Sequence, residues 1–344
     1  MRPTSAILAA VVAACGATDA EPPAASEPPA ASPDPSRGPG TAYLEAPYPN
    51  LSDYRLDDEG VLVPYEVRND LFTDYAEKSR ALYLPPGTTA TWAGEDRPIE
   101  LPVGAILVKR FSYGSRRIET RLLVRDRHGF RGHAYVWDDR GHDATLRPGG
   151  LLVDVDVERP DGRTARATHL VPSEQQCKKC HAANDELVPI GLRPWSFDTG
   201  DQIARLSAEG RLVGAPASDA PRAPAWNDEA TGSATDRARA YLDANCGYCH
   251  SATGSARTTG LLLGHQESSP RALGICKPPV AAGGGSGDLR FDVVPGRPDE
   301  SIVIHRMRST DPQTMMPELG RSLAHDEAIA LVSSWIEALP GACP

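Results

Sequence analysis

Two pentapeptides of the same pattern, Cys-x-x-Cys-His, constrain this 344-residue chain more than any other feature. They are Cys177-Lys178-Lys179-Cys180-His181 and Cys246-Gly247-Tyr248-Cys249-His250. Because the chain has only 7 Cys and 9 His, two copies of this spacing are not expected by chance. Each pentapeptide brings two thiols and an imidazole together within about one helical turn.

This spacing is the attachment pattern of c-type haem, in which the thiols form thioethers and the histidine binds the iron. The pattern predicts two haem c groups per chain, with thioethers at Cys177, Cys180, Cys246 and Cys249 and axial ligands at His181 and His250. A zinc site, a disulfide pair and a thioredoxin-like dithiol are the alternatives. Zinc requires reduced thiolates, which conflicts with the export that the N-terminus indicates, and neither motif has the βαβ context of a dithiol enzyme.

The second axial ligand of the second haem is predicted from the few methionines, which are Met1, Met307, Met315 and Met316. Met316 follows the second motif and precedes the last predicted helix, which is where a cytochrome c places its distal thioether. The sequence therefore predicts Met316 as an iron ligand. Ligation by Met315, or packing of Met316 in the core, are the alternatives.

The first haem lacks such a partner, because no methionine lies between Met1 and Met307. Upstream histidines could bind the iron, although packing or surface exposure is the better explanation of each one alone; they are His128, His133, His142 and His169. We expect the first haem to be either bis-histidine or open at its sixth position. An open position would permit ligand binding or peroxide chemistry.

The N-terminus resembles an export signal. Arg2 precedes the short apolar run Ala6 to Ala14, and Val12-Ala13-Ala14-Cys15-Gly16 is similar to a bacterial lipobox. Residues 1–15 are predicted to be a lipoprotein signal and lipobox with Cys15 as the lipid anchor, and residues 16–40 a disordered Pro/Ala-rich tether. A plain signal peptide cut near Ala14 or Ala20 is the alternative. Either kind of signal predicts a protein outside the cytoplasm. The lipoprotein signal predicts a periplasmic protein that is attached to a membrane by its lipid anchor alone.

The remaining chain predicts an α+β protein. Residues 41–210 contain β-branched and aromatic runs separated by turn residues, which indicates an antiparallel β domain, a sandwich or barrel, that ends in the first haem site; the runs are 106–111, 118–124, 134–137 and 151–157. Residues 211–229 are rich in Pro and Ala and are predicted to be a linker. Residues 230–344 indicate a helical, cytochrome c-like domain, with a helix leading into Cys246, one starting near Pro298 and one from His325 to Leu339.

Two further features bear on chemistry and partners. Cys276 and Cys343 are predicted to form a disulfide in an exported chain, with free thiols as the alternative. The formal net charge of -10 argues against nucleic acid, which calls for a basic surface. It is compatible with a redox protein as partner.

The chain resembles a family of bacterial diheme c-type cytochromes over most of its length from about Tyr48 to Cys343. The resemblance is carried by several specific strings, at 48–54, 63–66, 71–78, 118–124, 135–137, 274–279 and 315–321. It implies haem binding and electron transfer in the periplasm, often with a lipoprotein signal, and it supplies no substrate.

We therefore predict a periplasmic diheme electron carrier that passes electrons between redox partners. A haem enzyme, such as a peroxidase or small-molecule oxidase, is the principal alternative, with the haem at Cys177 to His181 as its open site and the second haem as its electron feed. A β domain that docks a partner dehydrogenase is a third interpretation.

Overall fold

An antiparallel sheet forms the centre of the β-rich region. The computed structural model describes residues 38–95, 97–197, 200–216, 222–280 and 282–344. Within these ranges, one sheet has the strand order β1-β2-β4-β5-β6-β7. These strands are β1 (Leu62–Pro64), β2 (Glu77–Tyr83), β4 (Ile106–Tyr113), β5 (Arg116–Asp126), β6 (Gly129–Trp137) and β7 (Ala144–Leu146).

The sheet is covered on both faces, which explains continuous apolar runs such as Ile106-Leu107-Val108. Ile106 and Val108 pack on one face against the tyrosine-rich segment that contains Tyr43 and Tyr54. Leu107 lies on the other face, in a core cluster with residues from the two helices α2 (Pro194–Phe197) and α3 (Gln202–Ala208). Successive side chains of a strand point to opposite faces of the sheet. A strand that is buried on both faces therefore has a continuous apolar run and does not alternate apolar with polar residues.

Smaller β elements surround this sheet. The strands β8 (Leu151–Glu158) and β9 (Thr164–Val171) form an antiparallel ribbon. The strands β10 (Ala182–Ala183) and β11 (Glu186–Leu187) pair with each other, and β12 (Leu212–Val213) pairs in parallel with β3 (Ala90–Thr91). The start of the predicted linker therefore adds a strand beside β3.

Helices dominate the C-terminal region. They are α4 (Ala234–Leu242), a π-helical turn (Asp243–Gly247), α5 (Ile302–Arg308) and α6 (Asp326–Glu337). Ala238, Leu242, Val332 and Trp335 are buried in one cluster, as their helical spacing predicts. The helix expected near Pro298 begins as a single 3-10 turn, Pro298–Glu300, because Ser301 is extended and separates that turn from α5.

Buried hydrogen bonds join the helical region to the sheet region. The Asn245 side chain accepts a hydrogen bond from the Phe72 amide at 2.7 Å. The Asp74 carboxylate accepts hydrogen bonds from the amides of Ser322 and Leu323 at 2.8–2.9 Å. These contacts connect residues about two hundred positions apart, so they hold the two motif-bearing regions in a fixed relation.

The prediction of a mixed α+β fold with a mainly antiparallel sheet is confirmed. The β region is not a closed barrel, because β1 and β7 are the two edges of the six-stranded sheet in the described part of the chain. It also differs from a symmetrical sandwich, since the two-stranded ribbon β8–β9 is the next largest β element there. No helix in the described ranges has the length and apolar character needed to cross a membrane.

Candidate functional site

The first motif occupies a short helix that starts immediately after the ribbon. Helix α1 (Glu174–His181) is capped by Ser173, whose hydroxyl accepts a hydrogen bond from the Gln176 amide, while the Gln176 side chain accepts one from the Ser173 amide. The three motif residues fall in its later turns. The helix lies so close to β6 that a Cβ placed on Gly132 would be 3.1 Å from the sulfur of Cys177. A glycine at this strand position therefore leaves the room that the thiol needs.

His181 is oriented for binding through one ring nitrogen. Its Nδ1 lies 2.8 Å from the carbonyl oxygen of Val188, which can only accept, so Nδ1 carries the proton and Nε2 has a free lone pair. Burial lowers the pKa of His181 to about 4. A neutral imidazole held by a carbonyl at its other nitrogen is the form that binds metal in proteins.

A deep cleft opens beside this histidine, with Cys177, Cys180 and His181 on its wall. Its empty volume is about 1400 Å³ including the open mouth. Leu107, Leu123 and Leu192 provide apolar surface. The donor set and the space both fit a large, flat, covalently attached macrocycle.

Cations line one part of the cleft. Arg80, Lys109 and Arg121 lie on adjacent strands, and the register pairs Arg80 with Lys109 and Lys109 with Arg121. We call these three residues the cationic row. Arg80 forms an ion pair with Asp70, and Arg121 forms a bidentate pair with Glu119 at 2.6 and 2.8 Å. Lys109 has no ion pair among the described residues, and burial, followed by the charges of Arg80 and Lys78, lowers its pKa well below the ordinary value.

The second motif follows helix α4 through the π-helical turn. Cys246 lies in that turn, and the amide of His250 donates to the carbonyl of Cys246 at 2.8 Å. Burial lowers the pKa of His250, and its Nδ1 lies 3.5 Å from the Thr259 hydroxyl. Single π-helical turns are frequent at functional sites. This donor set also suits a haem c.

Met316 lies beside the second motif, as its chain position predicts. It lines a small cavity together with Cys246, Tyr241 and His325. The cavity has an empty volume of about 270 Å³, far smaller than the cleft beside the first motif. The donors fit a haem c, but the space in this conformation is too small for a macrocycle. Met315 is buried and 7% exposed.

The two motifs meet at their second cysteines. The thiol of Cys249 donates to the carbonyl of Lys179, the residue before Cys180, at 3.2 Å. The Ser255 hydroxyl donates to the same carbonyl at 2.8 Å. A hydrogen bond between the two thiols raises the pKa of Cys180 and lowers that of Cys249. Groups attached at the two motifs would therefore be neighbours.

The upstream histidines differ in their availability to the first site. Nδ1 of His169 lies 3.1 Å from the Tyr113 hydroxyl and its Nε2 lies 2.9 Å from Glu119, so both nitrogens are engaged. His128 and His142 are exposed outside the cleft. His133 borders the cleft; its Nδ1 is 2.9 Å from Glu174, and its buried Nε2 has no hydrogen-bond partner among the described residues. Strand alternation places the His133 ring on the sheet face opposite the cationic row.

No methionine is among the described residues that line the cleft, and the histidines there are His133 and His181. The two arrangements predicted for the first haem, bis-histidine and open at the sixth position, therefore both stay predictions.

The other predicted residues are placed as follows. Cys276 and Cys343 form a disulfide with their Cα atoms 5.2 Å apart. Cys15 and residues 1–37, which include most of the predicted tether, lie outside the described residues. In the described ranges, no three His, Cys, Asp or Glu side chains are grouped so that they could hold a metal ion. A haem iron takes its equatorial nitrogens from the macrocycle, so a haem site does not depend on such a group.

Sequence reasoning missed the cationic row. Its signal was the pair Lys78 and Arg80, spaced two apart in a strand, together with Lys109 inside an apolar run. Comparisons of the chain with protein-family models, with curated proteins and with solved structures found no match.

Proposed function

We propose that this chain is a diheme c-type cytochrome that transfers electrons between redox partners through two covalently bound haems. The observation that carries the proposal is the contact between the two motifs, in which the Cys249 thiol donates a hydrogen bond to the carbonyl of Lys179, next to Cys180. Haem groups attached at both motifs would be neighbours, and short separation is what electron transfer between centres requires. When bound, each haem supplies an iron that cycles between the ferrous and ferric states.

The chain's own residues support this use of the two motifs. Val188 fixes the tautomer of His181, so that Nε2 is available for iron. Asn245 connects the helix of the second motif to the sheet region by accepting from Phe72. Rigid support of both motifs keeps the separation of the two centres constant. The C-terminal helices α4 and α6, which pack together ahead of and after the second motif, fit a cytochrome c-like domain with Met316 as the distal ligand of the second haem.

The first experiment quantifies covalent haem per chain in protein matured in a bacterial periplasm. We expect two haems in the wild type and one in each double variant, Cys177→Ala/Cys180→Ala and Cys246→Ala/Cys249→Ala. The control Cys276→Ala/Cys343→Ala removes two cysteines of the disulfide and should keep both haems. Absence of covalent haem from the wild type would refute the proposal.

The same samples test the adjacency of the centres. Two neighbouring haems give a split circular dichroism signal in the Soret region, and each double variant, with one haem, should give an unsplit signal. A wild type with two haems and an unsplit signal would show that the groups do not interact, and would remove the observation on which the proposal rests.

A haem enzyme is the second candidate, because no methionine is among the described residues that line the cleft, and strand alternation places the ring of His133 on the sheet face opposite the cationic row. Carbon monoxide binding to the dithionite-reduced protein tests it. Half of the iron binding carbon monoxide would favour a ligand-binding or peroxide-using site at the first haem. No spectral change would mean that both irons are six-coordinate and would favour a plain electron carrier.

The proposed location is the periplasm, with a lipid at Cys15 as the only membrane attachment. The lipobox-like string Val12-Ala13-Ala14-Cys15-Gly16 supports it. Membrane fractionation of the wild type and of Cys15→Ser tests it. The wild type should sediment with membranes and the variant should not. Equal distribution of the two proteins would favour a plain signal peptide.

A further inference from the structure

The floor of the cleft is divided into an apolar and a charged part by the strand register. Leu107 pairs with Leu123, and Leu123 pairs with Gly132, the glycine that touches Cys177. Two positions along each strand from these leucines, on the same face of the sheet, lie the residues of the cationic row. The cleft therefore has an apolar side next to its anchoring thiol and a positive side away from it.

The positive side lacks one counter-charge. Like charges directly opposite each other on neighbouring strands destabilise a sheet. Asp70 and Glu119 neutralise the two outer members of the cationic row, Arg80 and Arg121. The central Lys109 lies over the ring of Phe111, 4.9 Å from its centroid, and forms no ion pair with a carboxylate among the described residues. An unpaired ammonium in a cleft is costly, so Lys109 either loses its proton, as its lowered pKa indicates, or keeps its charge with an anion beside it.

The anchoring thiol shows which anion fits. Cys177 lies against Gly132 of β6, while Lys109 is on β4. Lys109 is therefore two strands across the sheet from Gly132 and two residues along β4 from the residue level with it, Leu107. With strands about 4.8 Å apart, this separation is roughly 10–12 Å. A group fixed at Cys177 that crosses the leucines would need an apolar edge at the thiol and negative charge at its far edge. A haem has this outline, since its two propionate carboxylates lie away from the thioether edge.

We infer that the cationic row, centred on Lys109, binds the propionate carboxylates of the haem attached at Cys177 and Cys180. This inference rests on the proposed haem attachment. A free small anion offers the same chemistry to Lys109, so the test must separate a propionate from an anion in solution.

The test measures the reduction potential of each haem by spectroelectrochemical titration in Lys109→Gln, Lys109→Arg and the wild type. A cation beside a propionate offsets its negative charge, so Lys109→Gln should lower the potential of one haem and leave the other unchanged. Lys109→Arg keeps the charge and should restore the wild-type value. Arg116→Gln, which removes an exposed cation from β5 without touching the cleft, is the control and should change neither potential.

Haem content separates this inference from the proposed function. A Lys109→Gln protein with two haems and unaltered potentials overturns the inference and leaves the diheme assignment intact. If Lys109→Gln loses one haem and Lys109→Arg regains it, the charge at this position is needed for haem binding and the inference is supported. If Lys109→Gln and Lys109→Arg both lose a haem, the charge at position 109 is not what binds the propionates, and the inference is overturned.

Inorganic phosphate distinguishes the source of the anion. With the propionates on Lys109, phosphate should leave the wild-type potentials unchanged at constant ionic strength. A phosphate-dependent shift that occurs in the wild type and is absent from Lys109→Gln would overturn the inference, because it would show that Lys109 is open to anions from solution.

Discussion

Replacement of Glu119 by glutamine tests how Arg121, a member of the cationic row, is stabilised. The Glu119 side chain is fully buried. It accepts two hydrogen bonds from Arg121, at 2.6 and 2.8 Å, and lies 2.9 Å from Nε2 of His169. A glutamine amide has one carbonyl oxygen and a donating NH2 group, so at least one of these donors would lose its acceptor.

The expected loss is large because the variant leaves a positive charge without its partner. Breaking one side of a buried ion pair typically costs about 3–5 kcal/mol, and Arg121 would remain next to Lys109. We therefore expect the free energy of unfolding of Glu119→Gln to fall by about 3–5 kcal/mol at pH 7. Glu158→Gln, at an exposed position of β8, is the control and should change it by less than about 0.5 kcal/mol.

The pH dependence gives a second check. Burial alone would raise the pKa of Glu119, but the charge of Arg121 and the hydrogen bonds from His169 and Arg121 outweigh it and lower the pKa from 4.5. The stabilisation is therefore complete well above pH 4.5 and is lost as the pH falls through the lowered native pKa. Urea unfolding followed by far-ultraviolet circular dichroism should show the wild type and the variant converging in acid. A difference at pH 7 no larger than that of the control would refute the reasoning.

Three further predictions concern the supports of the motifs. Gly132→Val should reduce haem attachment at the first motif, measured as haem per chain, because a side chain there meets the sulfur of Cys177, whereas Gly149→Ala has open space and should have no effect. Asn245→Ala should lower the free energy of unfolding by about 1–3 kcal/mol in urea titrations, because the buried amide of Phe72 loses its acceptor. Burial lowers the pKa of His325 from 6.5 to about 4, so its neutral form stabilises the fold above pH 6.5. That stability is lost as the pH falls towards 4, and His325→Gln should flatten the dependence of the unfolding midpoint on pH in this interval.

The elements that the sequence predicts well are those with strong local signals. The run 106–111 lies in β4, and the helical face of Ala238, Tyr241 and Leu242 is buried in the C-terminal core. Both motifs lie at the ends of helical segments, where local spacing places them. These features depend on residues a few positions apart, and their periodicity is visible in the sequence.

The arrangement of the site depends on contacts that are distant in sequence. The cationic row arises from cross-strand register between β2, β4 and β5, and charged residues in a strand are otherwise expected at the surface. The meeting of Cys180 with Cys249 results from the packing of two regions, and no local pattern encodes it. Likewise, the engagement of both His169 nitrogens follows from a buried cluster with Tyr113 and Glu119 that only tertiary structure assembles.

The thiol contact between the motifs has a consequence for the order of maturation. Two thiols within hydrogen-bonding distance are readily oxidised to a disulfide in an oxidising compartment. A cross-link between Cys180 and Cys249 would use up one attachment point in each pentapeptide. If both pentapeptides carry haem as proposed, the productive order is haem attachment to a chain whose two regions are still apart, followed by their docking. If the two regions docked first, a disulfide between Cys180 and Cys249 would block the haem attachment that is proposed for the two motifs.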